Sequence, residues 1–330
     1  MLEKLIPENY HGAVSVRRGG KIVFQGAYGF ADLPNKIHNR MDTRFGTASA
    51  GKAFVAAGIM KLIEEGKLTL NTTIGDAIKI DWKKIDPRIS VRELLNHTSG
   101  IPDYFDESVM DDYAELFYDY PNYKIRTSMD LVPLFIDKPM MYKRGERFQY
   151  NNTGYAVLGL MIESVTKLPF DLYLKNAVFE PCGMTSTGYY ELDRLPANCA
   201  NAYIFDEERK EFYTNIYSID VKGTGAGGAF MTAPDAERFW DGLLSGKIVS
   251  RETLQDMVSP QALGGEYCYG FWIREDDKTP YFQGSDPGVS FLSSLDEKSG
   301  LTITLFSNFG DDVWELNENI REHIGLLPGD

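Results

Sequence analysis

An α/β chain of the α+β type, an antiparallel sheet flanked by helices with a mostly helical segment inserted, follows from the order of the apolar patterns. Short β-rich runs with tight turns occupy both ends of the chain, and helical periodicities fill its middle. No internal repeat or low-complexity linker separates them. The simplest arrangement joins residues 1–75 and 220–330 into one discontinuous α/β domain. Residues 76–219 then form a mostly helical inserted domain, with an active site expected in the cleft between the two.

The elements follow in order. Gly12–Val16 and Lys21–Gln25 are β-rich runs joined by Arg18-Gly19-Gly20, a hairpin signal. After Ser49 the apolar residues Ala53, Phe54, Ala56, Ala57, Met60, Leu62 and Ile63 predict a helix that stops near Gly66. Ser90-Val91-Arg92-Glu93 is a capping-box pattern opening a short helix over Val91–Asn96. Helical spacing recurs over Asn152–Lys167, Leu172–Phe179 and Pro234–Leu244. Strands return at Tyr267–Ile273, Thr279–Gln283, Val289–Leu295 and Leu301–Ser307, and a helix over Val313–Ile324 closes the chain.

Composition narrows the function. At 330 residues, with 43% hydrophobic and 13% aromatic side chains, the chain can bury a sizeable core and is not disordered. A net charge of −14 argues against a nucleic-acid surface, which needs clustered Lys and Arg. No apolar run reaches membrane-span length, so no membrane partner is expected. Three widely spaced cysteines (Cys182, Cys199 and Cys268) and a start without a secretory leader predict a cytoplasmic setting. With neither C-x-x-C nor H-E-x-x-H, and only four histidines, no metal and no cofactor are expected.

Three segments carry chemistry. In the first, Ser49 precedes Lys52 by three residues at a helix start, which places both side chains on one face, roughly 5–6 Å apart at Cβ. An amine beside a serine is one way to make the hydroxyl nucleophilic, although S-x-x-K alone also arises by chance. The second is Phe148–Tyr155. Tyr150 and Asn152 stand two apart before a helix, so both can face one cleft. A phenol lowered by a neighbouring ammonium can take the serine proton, and an asparagine amide can hold both Lys52 and a substrate carbonyl. Asn152 also suits a helix cap, and Tyr150 an ordinary half-buried aromatic. The third, Tyr281–Val289, ends a strand in a turn whose glycines allow close backbone approach, with N–H groups able to form an oxyanion site.

Ser49-Ala50-Gly51-Lys52, Tyr150-Asn151-Asn152 and Phe282-Gln283-Gly284 occur in an order that resembles the serine β-lactamase and penicillin-binding-protein superfamily. The tyrosine form of the second motif is similar to the class C β-lactamase, D,D-peptidase and esterase branch. Arg92–Pro102, Gly225–Asp235 and Tyr269–Trp272 are typical of that branch, and the resemblance spans roughly residues 10–325. It implies Ser49 as the acylated nucleophile, with Lys52 and Tyr150 sharing general-base and general-acid work. It implies further that Asn152 orients Lys52 and the acyl amide, and that the backbone N–H groups of Ser49 and Ser285 form the oxyanion hole. The implied fold is the β-lactamase/transpeptidase-like one. The implied substrate is a small ester, amide or peptide-like molecule, and an esterase or amidase stands in front. A D,D-peptidase, D-aminopeptidase or β-lactamase is the alternative within the enzymes. A catalytically silent ligand-binding or sensing relative is the alternative of another class.

The third motif departs from the family pattern, which begins with Lys or His. Phe282 brings no cation for a substrate carboxylate, while Gln283 can donate a hydrogen bond in a shifted register and Gly284 keeps its place. The segment Asp103–Lys124 interleaves seven acidic residues, Asp111 among them, with aromatics such as Tyr104, Phe105 and Tyr113. It reads either as an overhanging lid that favours neutral or amine-bearing substrates or as a solvated acidic helix with buried aromatics. His97 is expected to be structural, at a helix end. Gly223–Gly228 lacks the ending of a phosphate loop and is expected to connect strand to helix near the cleft.

Overall fold

The computed structural model describes residues 2–110, 112–261, 263 and 265–325; Asp111 lies outside them. Its main sheet is built from both ends of the chain. The first hairpin supplies β1 (Gly12–Arg18) and β2 (Lys21–Tyr28). The C-terminal third supplies β3 (Trp272–Ile273), β4 (Pro280–Asp286), β5 (Val289–Asp296) and β6 (Leu301–Ser307). The order is β2-β1-β6-β5-β4-β3, antiparallel throughout, with Gly12 opposite Ser307 and Gly284 opposite Phe291.

Both faces of this sheet are covered, which is why β5 is buried from Val289 to Leu295, its serines included, rather than on alternate residues only. Ala13, Phe291 and Phe306 face α1 (Gly51–Glu64) in the larger core. The alternate residues Val14, Leu292 and Leu305 pack beneath the C-terminal helix Val313–Ile324, against Val313, Leu316 and Ile320. Helix α1 is buried nearly all round. It runs through the middle of the larger core, so it carries almost no polar face.

Local signals placed the helices well. Ser90 and Glu93 form the complete capping box that opens α2 (Val91–Leu95). Helix α3 (Asn152–Thr166) is capped by Asn151, whose Oδ1 accepts the Gly154 N–H at 2.8 Å. Helix α4 (Ala233–Leu244) starts at Thr232 with Pro234 in its first turn. Three segments differ from expectation. Of the strand expected over Tyr267–Ile273 only Trp272–Ile273 forms, with Tyr267 in an isolated bridge to Trp272. Leu172–Phe179 divides into a helix over Phe170–Leu174 and a π-turn over Lys175–Phe179. The acidic stretch after Asp103 is no continuous helix but separate turns at Tyr113–Glu115, Leu116–Asp119 and Asn122–Lys124. A β-hairpin, Tyr203–Asp206 with Glu211–Thr214, also lies in the central part of the chain.

Phe282 belongs to this core. It is 1% exposed and packs among Phe54, Phe239, Trp240 and Phe291, with ring centroids 5.2–6.0 Å apart. Phe282→Ala should therefore cost about 3–5 kcal/mol of stability, read from urea melts. Phe282→Lys, which puts a cation at the head of the motif, should cost more, because the ammonium loses its water among these rings. A Lys variant as stable as the parent would contradict this placement.

Candidate active site

Ser49 sits in a single 3₁₀ turn, Ala48–Ala50, that runs directly into α1. Ala48 takes a left-handed backbone, φ 47°, which is uncommon for a residue with a Cβ. This bend puts Ser49 on the wall of a cavity of about 570 Å³. Two glycines let other backbones reach it. A Cβ on Gly284 would lie 2.3 Å from the Thr47 carbonyl oxygen and 2.6 Å from the Ser49 nitrogen. A Cβ on Gly227 would lie 2.7 Å from the Ala48 carbonyl oxygen. Any side chain at either place pushes the Ser49 turn aside.

Lys52 is 1% exposed. Its Nζ lies 3.0 Å from Ser49 Oγ, 2.8 Å from Asn152 Oδ1 and 2.5 Å from the Ala226 carbonyl oxygen. It also lies over the Tyr150 ring, 4.9 Å from the centroid. Burial pushes its pKa down to about 8, against the opposing pull of the Glu107, Asp103 and Asp286 carboxylates. Because Asn151 supplies the cap of α3, the Asn152 side chain is free for Lys52. Its Nδ2 donates to the Phe105 carbonyl at 3.2 Å and to Glu107 Oε1 at 3.1 Å.

Tyr150 behaves differently from the sequence argument. Burial, and then the Glu107 carboxylate, raise its phenol well above the ordinary tyrosine value, and a hydrogen bond with Ser49 opposes them only in part. No phenolate stands ready at neutral pH, and of the two groups it is Lys52 whose pKa is lowered toward neutrality. Trp272 stacks on Tyr150 at 6.1 Å. His97 packs against it at 4.5 Å, with Nδ1 accepting the Asn151 N–H at 3.1 Å. Burial lowers the His97 pKa well below the usual imidazole value, so the ring is neutral and supports the site from behind.

Gln283 does not reach the cavity. On β4 it alternates with Phe282 and Gly284 and turns to the other face of the sheet, where its Oε1 accepts the Trp314 Nε1–H. Its expected substrate-orienting role is corrected on that geometry. Ser285 and the next residue, Asp286, line the cavity instead. Glu107, Asp112 and Asp220 line it too, whereas no lysine, arginine or histidine is among the described lining residues. Burial pushes the Asp220 and Asp286 carboxyls up to about 7, and their mutual repulsion adds to it for Asp220. Among the described residues no group of three or more His, Cys, Asp or Glu could hold a metal ion.

The sequence reading missed the Ala226 carbonyl, Asp220 and Asp286. The run Gly225-Ala226-Gly227-Gly228 did signal close backbone approach, but not toward which atom. Asp286 was within the quoted third motif, and its place two residues beyond Gly284 puts it on the cavity face of β4.

If Lys52 must be neutral to accept the Ser49 proton, only about a tenth of molecules are competent at pH 7. Hydrolysis of a neutral ester should rise nearly tenfold per pH unit below about 8 and level off above it. A flat profile from pH 6 to 9 would remove Lys52 as the base.

Comparison with known proteins places nearly the whole chain among its relatives. The family model described as Beta-lactamase matches residues 5–322. The chain is similar to a solved penicillin binding protein from Bacillus halodurans, with 35% identity and a TM-score of 0.93, covering 98% of this chain and 100% of the other. It is 28% identical to penicillin-binding protein 4* of Bacillus subtilis (strain 168), over 92% of this chain and 69% of that protein. D-amino acid amidase from Ochrobactrum anthropi SV3, at 22% identity and a TM-score of 0.78 over 98% of this chain and 97% of the other, shares the fold.

Proposed function

We propose a reaction from one premise: the chain belongs to the β-lactamase family, and it hydrolyses a small ester or amide through an acyl-enzyme at Ser49. The observation that carries this is Lys52 Nζ, buried, lowered to about 8 and 3.0 Å from Ser49 Oγ. In the acylation step Ser49 Oγ bonds to the substrate carbonyl carbon and its proton passes to Lys52. The bond to the leaving group then breaks as that group takes a proton relayed through Tyr150. The backbone N–H groups of Ser49 and Ser285 serve as the oxyanion donors, and Asn152 Nδ2 holds the acyl carbonyl in place of Glu107. Water repeats the sequence to release the acid. The substrate enters between the sheet-bearing part, residues 1–75 and 220–330, and the insert, residues 76–219.

The cavity's charge supports an esterase or amidase for cationic or neutral molecules over enzymes that act on carboxylates. Its described lining residues offer four carboxyl groups and no basic side chain, and the rings of Phe105 and Tyr113, 4.7 Å apart edge to face, add a surface that favours cations. The penicillin-binding names of the relatives favour a second reading, in which deacylation is slow and a penicillin stays attached. The three free cysteines go with a cytoplasmic setting.

Three acetate esters matched in size, with a quaternary ammonium, a neutral group or a carboxylate at the far end, discriminate between these readings. The ammonium ester should have the highest kcat/KM. Its advantage should grow from pH 6 to 8 as Asp220 and Asp286 ionise, and Ser49→Ala should abolish all three activities. A preference for the carboxylate ester, or a lasting penicilloyl adduct on Ser49, would move the assignment to the carboxylate-recognising enzymes.

A further inference from the structure

We infer that Asp103 is a positioning residue of this reaction, a buried carboxylate that fixes Asn152 and through it the place of Lys52; this rests on the reading of Ser49 and Lys52 as the reacting pair. Asp103 is 6% exposed. Its Oδ2 accepts the Asn152 N–H at 2.8 Å, and its Oδ1 accepts the Thr153 N–H at 2.9 Å and the Thr153 hydroxyl at 3.0 Å. The Thr153 Oγ1 in turn accepts the Tyr104 N–H at 2.9 Å. The first two N–H groups of α3 therefore bind a carboxylate from the start of the acidic segment, while Asn151 satisfies the third.

Helix capping alone would explain a carboxylate here. The position of the captured residue adds a second consequence. Asn152 is the first residue of α3, so the bond to its N–H sets the direction in which its side chain leaves the helix. That side chain ends 2.8 Å from Lys52 Nζ. The same segment closes on the other end of the amide, where the Phe105 carbonyl and Glu107 accept from Asn152 Nδ2. With Nδ2 held on that side, Oδ1 is the atom presented to Lys52. Asp103 thus anchors the segment to α3 and fixes which way the amide faces.

Charge supplies the readout that packing would not. The groups acting on Lys52 are the carboxylates Glu107, Asp103 and Asp286, the rings of Tyr150 and Tyr155, and the neutral His97 behind them. Of the three carboxylates, Asp103 is bonded to Asn152's own backbone. Removing its charge lets burial lower Lys52 further, and the reaction's pH midpoint should move to lower pH. Loosening Asn152 should at the same time reduce the rate on the plateau.

The test is the inactivation of Asp103→Asn by a fluorophosphonate, followed from pH 5 to 10 beside the wild type, with folding checked by thermal melts. The plateau rate should fall by about tenfold or more, and the midpoint should lie below that of the wild type. For a neutral ester kcat should fall with KM nearly constant. If Asp103→Asn does not fold, Thr153→Ala removes one bond to the carboxylate without removing charge, and should lower the plateau several-fold with the midpoint unmoved. A folded Asp103→Asn with wild-type midpoint and plateau, or a Thr153→Ala with the wild-type plateau, would overturn the inference. Failure of the reagent to label wild-type Ser49 would instead overturn the underlying reading, and this inference with it.

Discussion

The ammonium of Lys52 is the constraint around which the rest is arranged. A charge taken out of water is costly unless its hydrogen bonds are replaced. Here the three N–H groups of a lysine meet three acceptors: Ser49 Oγ, Asn152 Oδ1 and the Ala226 carbonyl. Those acceptors come from three separate stretches of chain: the turn before α1, the start of α3 and the glycine-rich turn at 223–228. A shift in any one strands the amine, so the site is a single cooperative unit. Desolvation takes the proton away, the surrounding carboxylates hold it, and the balance lies at about 8. At that value the same amine can give its hydrogen bond to Ser49 when charged and accept the serine proton when neutral.

The sheet serves this arrangement by bringing β4 against the Ser49 turn. Its alternation divides the third motif into two faces. Phe282 goes to the aromatic core, Gly284 permits contact with the Ser49 turn, and Asp286 faces the cavity, while Gln283 is spent on Trp314 on the opposite side. The family's usual cation at the head of the motif is thus replaced by packing. A carboxyl two residues past the glycine reverses the sign of the charge that β4 offers the cleft. The acidic segment that begins at Asp103 adds to the same sign through Glu107 and Asp112.

Much of this was legible in the sequence, and the reasons are local. The Ser90–Glu93 box, Thr232 with Pro234, and the turn glycines at 19 and 20 act on neighbouring backbone groups, so their meaning is complete within a few residues. Ser49, Lys52, Tyr150 and Asn152 were recognisable by spacing and order, and the structure brings all four together. Three features were not legible, because each is decided by residues distant in sequence. Gln283 faces away because distant aromatics such as Phe54 and Phe239 draw Phe282 into the core, and alternation then turns Gln283 toward Trp314, 31 residues later. Tyr150 is raised rather than lowered because burial and Glu107, which no spacing connects to it, outweigh its other interactions. The cavity's acidity depends on Asp220 and Asp286 approaching across a fold that no short pattern encodes.

The most direct measurement is an NMR titration of protein carrying labelled lysine side chains, with Lys52→Arg used to assign the Lys52 signal. The account predicts one lysine resonance that titrates near pH 8, set apart from the others and lost in the arginine variant. A Lys52 signal that titrates with the exposed lysines, at the ordinary value near 10.4, would mean that the amine stays charged at neutral pH. It would then be an electrostatic anchor rather than the base for Ser49.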